Sequence, residues 1–145
     1  MLGFAGLGLS GLESISIETQ KLLKDADIVY LELFTSPISK SEISKIKKIV
    51  KGEFKIAKRW MVEDGKEILK NSKRKTVVLL TYGDPFIATT HIELRTRAIQ
   101  DKIKTKTIIK KILCILQSFS ITNILKHYTF RQINIIVFST SSLLN

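Results

Sequence analysis

The run Thr76–Thr81 (TVVLLT) leads directly into Tyr82-Gly83-Asp84-Pro85, and this junction constrains the fold more than any other stretch. Six uncharged residues, each β-branched or Leu, with no polar alternation, describe a strand covered on both faces. A Gly-Asp-Pro turn then ends it. Proline fixes its own φ and pushes Asp84 out of the helical region. Asp84 is therefore expected in extended backbone at a strand's carboxyl end, with a free carboxylate. A doubly covered strand belongs to a parallel sheet flanked by helices, so the chain must supply more strands and the helices that cross between them.

It does. Leu2–Ala5 is a short apolar run stopped by glycines and reads as a first strand. Ser16 can cap a helix over Ile17–Asp25, with Glu18 in its first turn. Ile28–Leu33 (IVYLEL) is β-branched and aromatic, a buried strand. Ser39 or Ser41 caps the next helix, whose apolar face carries Ile43, Ile46, Ile49 and Val50. Phe54–Ala57 is a third strand, Val62–Asn71 a weaker third helix, Ala88–Gln100 a fourth helix and Lys104–Ile109 a fifth strand. The expected fold class is α/β with a central parallel sheet. Its buried positions should include Phe4, Val29, Leu31, Val78 and Leu80. In such a sheet ligands bind at the carboxyl ends of the strands.

The 145 residues suit one domain or slightly more. The chain changes character near residue 100. All seven glycines and both prolines lie in the first 85 residues, and after Asp101 there is neither Asp nor Glu. The reading is a balanced domain over 1–108 and a divergent or truncated tail over 109–145. The net charge of +11 suits an acidic partner, but lysine far outnumbers arginine and is spread along the chain, so no nucleic-acid site is expected. One cysteine, Cys114, excludes an internal disulfide framework and a multi-cysteine metal site. No apolar run reaches the ~18 residues of a membrane span. Met1–Leu12 lacks a basic flank and soon meets Glu13, unlike a signal peptide. These features point to the cytoplasm.

Three loops at strand ends carry the candidate chemistry. Gly6-Leu7-Gly8-Leu9-Ser10-Gly11 matches G-x-G-x-x-G, the dinucleotide pattern, but Leu12-Glu13-Ser14-Ile15 separate it from the helix that would face a diphosphate. A tight turn, or a ligand without phosphate, are the other readings. In the second loop, Asp84 precedes Ala88-Thr89-Thr90-His91, where Thr89 and Thr90 can serve the following helix. His91 reads as a packed or surface histidine rather than a metal ligand. In the third, Glu32 interrupts an apolar strand, at an edge, in a cleft or at a solvent-facing strand end.

The stretches GLGL at Gly6–Leu9, ADIVYLELFTS at Ala26–Ser36 and GDPFIATTHIELRTRA at Gly83–Ala98 resemble the diphthine synthase family. These are the diphthamide-biosynthesis methyltransferases of the tetrapyrrole (precorrin) methylase superfamily. The resemblance runs over residues 2 to about 108 and is most specific where Gly-Asp-Pro continues into Ala-Thr-Thr-His. It implies two α/β domains with S-adenosylmethionine folded between them, in a homodimer. It implies methyl transfer to the amino nitrogen of a modified histidine on translation elongation factor 2. Residue by residue, it implies cofactor contacts from Leu9, Asp84 and Ile87, and no catalytic side chain, because in-line displacement at a sulfonium methyl needs positioning more than a dedicated base.

The chain also departs from the family. Arg59-Trp60-Met61-Val62-Glu63 stands where Arg-Glu-Asp-Val-Glu is usual, and Ile109-Lys110-Lys111-Ile112-Leu113-Cys114 replaces a cofactor-touching loop. A family member continues for roughly a hundred residues more, so the second domain is expected to be absent and activity low. The alternatives are another tetrapyrrole-type methylase, or a basic binding domain or decayed product without activity.

Overall fold

The computed structural model describes residues 1–8, 11–86 and 90–108. Five strands form one sheet: β1 (Leu2–Gly6), β2 (Ile28–Glu32), β3 (Glu53–Ala57), β4 (Val77–Thr81) and β5 (Thr105–Ile108). Their order is β3-β2-β4-β1-β5, and every pairing is parallel. The helices are α1 (Ile17–Asp25), α2 (Lys40–Ile49), α3 (Arg59–Asp64), α4 (Lys66–Ser72) and α5 (His91–Gln100), with one 3-10 turn at Gly11–Ser14.

β4 lies at the centre and all five of its residues are buried. The two-residue period of the strands sorts the core into two layers. Leu2, Phe4, Ile28, Tyr30, Val77 and Leu79 face one side, where Val62 of α3, Ile68 of α4 and Leu94 and Ala98 of α5 pack. Ala5, Val29, Leu31, Val78 and Leu80 face the other, against Leu22 and Leu23 of α1 and Ile46 of α2. The five core positions expected from sequence are wholly buried. Each large aliphatic side chain among them contributes about 1.5–3 kcal/mol by leaving water.

Local chemistry sets most boundaries. The Ser16 hydroxyl accepts from the Thr19 N–H at 3.0 Å and starts α1. Ser39, not Ser41, caps α2, accepting from the Glu42 N–H at 3.2 Å. Two expectations need correction. The helix read over Val62–Asn71 is two helices, α3 and α4, parted by Gly65 in the left-handed region (φ 63°). The glycine lets the chain reverse its curl there, and it lies against Leu94, where a Cβ would come within 2.5 Å of the leucine's Cδ1. The helix read from Ala88 begins at His91 among the described residues, and Thr90 makes no side-chain cap bond. Ala88, Thr89, Ile109 and the whole tail lie outside the described residues.

Candidate functional site

The carboxyl ends of β1 and β4 are joined beyond the sheet. The Leu7 N–H donates to the Thr81 carbonyl at 2.9 Å. Gly8 and Gly83 then exchange both backbone bonds, 3.3 Å from the Gly8 N–H and 3.1 Å from the Gly83 N–H, in an antiparallel bridge. Both glycines have positive φ, 75° and 76°, which other residues adopt only with strain. Gly6 meets a different demand: a Cβ there would lie 2.2 Å from the Gly83 carbonyl oxygen. The first glycine loop and the Gly-Asp-Pro turn thus lie side by side, Gly6–Gly8 against Gly83–Pro85.

Asp84 follows the bridge. Its Oδ1 accepts the Phe86 N–H at 2.8 Å, closing a small turn on itself. The carboxyl is half-buried, and burial pushes it above the ordinary carboxylate range while the Phe86 N–H pulls it back. The Phe86 ring packs on Phe4 with centroids 5.3 Å apart, and the Arg95 guanidinium lies over it at 5.9 Å. Of the three residues expected to touch a cofactor, Asp84 lies in this described turn. Leu9 and Ile87 lie outside the described residues.

Behind the turn lies a pair of titratable side chains that the sequence does not bring together. His91, the first residue of α5, is wholly buried, with Nδ1 2.9 Å from the Pro85 carbonyl oxygen. A carbonyl only accepts, so Nδ1 carries the proton and Nε2 the lone pair. Nε2 has no hydrogen-bond partner and stands 3.9 Å from Glu32 Oε2. Burial holds the imidazole below its ordinary value; the Pro85 carbonyl and the Glu32 carboxylate oppose this. Glu32 itself is buried on an inner strand, neither at an edge nor facing solvent. The Thr35 N–H donates to its Oε1 at 2.6 Å and the Thr35 hydroxyl to its Oε2 at 2.7 Å. The signals in the sequence were a lone acid in an apolar strand and a histidine just past a turn; their pairing needs the fold.

The glycine loop does not suit a diphosphate. The N-terminus of α1 is capped by its own Ser16, and the 3-10 turn at Gly11–Ser14, which carries Glu13, separates it from the loop. Glu42 of α2 adds a second carboxylate there, accepting the Leu12 N–H at 3.1 Å. A helix N-terminus that is already satisfied, with two acids nearby, offers little to an anion. Among the described residues no group of three or more His, Cys, Asp or Glu is placed to hold a metal ion. No helix among them is long and apolar enough to cross a membrane.

The profile of the tetrapyrrole (corrin/porphyrin) methylases matches residues 1–108. A diphthine synthase of Methanospirillum hungatei is 41% identical over 109 residues, covering 74% of this chain and 43% of that protein. The diphthine synthase of Methanococcus vannielii is 32% identical over 139 residues, covering 95% of this chain and 53% of that protein, so this match continues past residue 108. A crystal structure of diphthine synthase superposes with a TM-score of 0.67 at 32% identity, over 74% of this chain and 43% of that one. The chain spans roughly half the length, or less, of these relatives.

Proposed function

Because the chain belongs to the tetrapyrrole (corrin/porphyrin) methylase family, we propose that it provides the N-terminal α/β domain of an S-adenosylmethionine-dependent methyltransferase of diphthine synthase type. Residues 1–108 form that domain, and 109–145 are a segment of divergent sequence. Leu9, Asp84 and Ile87 contact the cofactor, and no side chain acts as a dedicated acid or base. The acceptor is the amino nitrogen of the modified histidine on translation elongation factor 2. The working form is a cytoplasmic homodimer of the family type.

The observation that carries this reading is the Gly8–Gly83 bridge, which joins one glycine of each turn beside the Asp84 carboxylate. S-adenosylmethionine, when bound, supplies a methyl group on a sulfonium, and it has no phosphate. A glycine loop without an adjoining helix N-terminus is compatible with it. At Gly83 no described atom lies within 4 Å of where a Cβ would stand, so the turn presents open backbone rather than a filled surface. The Asp84 Oδ2 has no hydrogen bond among the described residues and can face a cationic or donor group of the cofactor.

Calorimetric titration of the chain with S-adenosylmethionine tests the reading. Binding is expected to be weak, because one domain of a two-domain cleft keeps only part of the ligand's contacts. Asp84→Ala should weaken it by about tenfold, the value of one charge-assisted contact. An unchanged affinity would remove Asp84 from the site. Tighter binding of NAD than of S-adenosylmethionine would restore the dinucleotide reading.

A further inference from the structure

The Asp84 turn is held in two ways that differ in kind. On the β1 side it is held by backbone, through the Gly8–Gly83 bridge. On the α5 side it is held by a side chain, since the Pro85 carbonyl accepts from His91 Nδ1 at 2.9 Å. The Pro85 carbonyl and the Phe86 N–H belong to one planar peptide, so fixing this carbonyl also aims the N–H that Asp84 Oδ1 accepts at 2.8 Å. Proline locks only its own φ and leaves its ψ, and with it the carbonyl, to be fixed by a partner.

His91 is itself held firmly. It is fully buried, with the Phe34 ring edge-on at 6.3 Å between centroids; Glu32 Oε2 lies 3.9 Å from Nε2 without a hydrogen bond to it. Glu32 is fixed in turn by both donors of Thr35. Two hydrogen-bonded pairs, Thr35–Glu32 and His91–Pro85, thus adjoin between the end of β2 and the residue after Asp84, with no hydrogen bond between Glu32 and His91. Glu32 is the charged group against the imidazole; Phe34 and the Pro85 carbonyl are its uncharged neighbours. Arg59 stands over the Phe34 ring and Arg95 over the Phe86 ring. A buried imidazole in this setting stays neutral at neutral pH, with its one proton committed to Pro85.

We propose that His91 is a positioning residue of the cofactor turn, its Nδ1–H setting the Pro85 carbonyl and thereby the aim of the Asp84 carboxylate. The role deepens the S-adenosylmethionine reading given above and rests on it for its functional consequence. Its structural part stands independently.

The test uses the full chain and three proteins: the parent, His91→Leu and His91→Asn. Leucine fills the space but has no donor. The asparagine amide nitrogen occupies nearly the position of Nδ1 and restores a donor to Pro85. The first readout needs no ligand: amide hydrogen exchange at Gly83 and Phe86, with Val78 and Leu80 in β4 reporting global opening. His91→Leu should speed exchange at Gly83 and Phe86 by about tenfold, as expected for one lost hydrogen bond, and leave β4 unchanged. His91→Asn should restore most of the protection. The second readout is calorimetric affinity for S-adenosylhomocysteine, which should fall about tenfold in His91→Leu and recover in His91→Asn. Exchange at Gly83 and Phe86 within twofold of the parent in His91→Leu would overturn the proposal, as would His91→Asn behaving like His91→Leu. Should the parent bind neither S-adenosylmethionine nor S-adenosylhomocysteine, the cofactor reading fails, and the clamp is decided by the exchange data alone.

Discussion

Tyr30 and Glu32 are two residues apart on β2 and point to the same face of the sheet, yet each anchors a polar network of a different character. The Tyr30 hydroxyl donates to Glu67 at 2.7 Å and accepts from Asn71 at 3.1 Å, both on α4, and Lys55 of β3 joins Glu67 at 3.0 Å. No buried side-chain polar atom of that network lacks a partner, and Glu67 at its outer end is exposed. The Glu32–His91 pair is buried and incomplete, with the exposed Thr35 at its outer end. The described buried side-chain atoms without hydrogen bonds are Thr81 Oγ1, His91 Nε2 and Arg95 Nε, all within the stretch that flanks the Gly-Asp-Pro turn. Where β2 only fastens a helix, polar satisfaction is complete. Where it reaches the candidate site, satisfaction stops short, as is common at working sites.

The largest expected contrast is in stability. Glu32→Ala should cost about 2–3 kcal/mol, because Glu32 is wholly buried and its removal opens space inside the fold beside His91. Tyr30→Phe should cost about 1 kcal/mol, since Glu67 and Asn71 can turn to water. Denaturant unfolding of the two variants measures both; equal losses would erase the distinction between the networks.

A second contrast is in acid. Burial lowers the His91 value below the ordinary 6.5, so the unfolded chain takes up this proton first. The contribution of the neutral imidazole is present above pH 6.5 and is lost as pH falls through that unfolded value and then through the folded one. Thermal midpoints measured from pH 7.5 downward should show this limb in the parent and a flatter one in His91→Asn. The Tyr30 network gives no such step from a histidine.

The smallest effect is in alkali. Burial first, then the hydrogen bond to Glu67, push Tyr30 up to about 12, against an ordinary value of 10.0. Unfolded tyrosine releases its proton earlier, so stability should decline as pH rises between these values. A phenolate absorbance titration should show a late component that disappears in Tyr30→Phe. A single ordinary transition in both proteins would mean that the hydroxyl is solvated.

Most of the sheet was legible because its signals are local. TVVLLT announces a doubly covered strand, and that strand is the central one. Ser16 and Ser39 announce helix starts, and both caps are made. The break at Gly65 was harder to read, since a glycine inside a helical pattern can be tolerated or can part it, and contact with Leu94 decides. The 3-10 turn at Gly11–Ser14 has little signature of its own and leans on Glu42, thirty residues away. For the site, the resemblance singles out Asp84 from its turn. Glu32 and His91 carry no mark of their pairing, because it depends on β2, β4 and α5 meeting at one end of the sheet.

The strand order has a consequence for how the chain assembles. β1 pairs with β4 and β5 and not with β2, so its nearest partner lies some seventy residues further along. β2 and β3, in contrast, pair across a single helical connection. Closing the longer loop costs more chain entropy, and pairings of high sequence separation form late. During synthesis the first glycine loop must wait for β4 to emerge before the Gly8–Gly83 bridge can exist. The turns that make the candidate site are thus expected among the last parts to gain protection in pulse-labelled refolding, after the β2–β3 amides. A chain interrupted before residue 77 would carry the first glycine loop with nothing to bridge it.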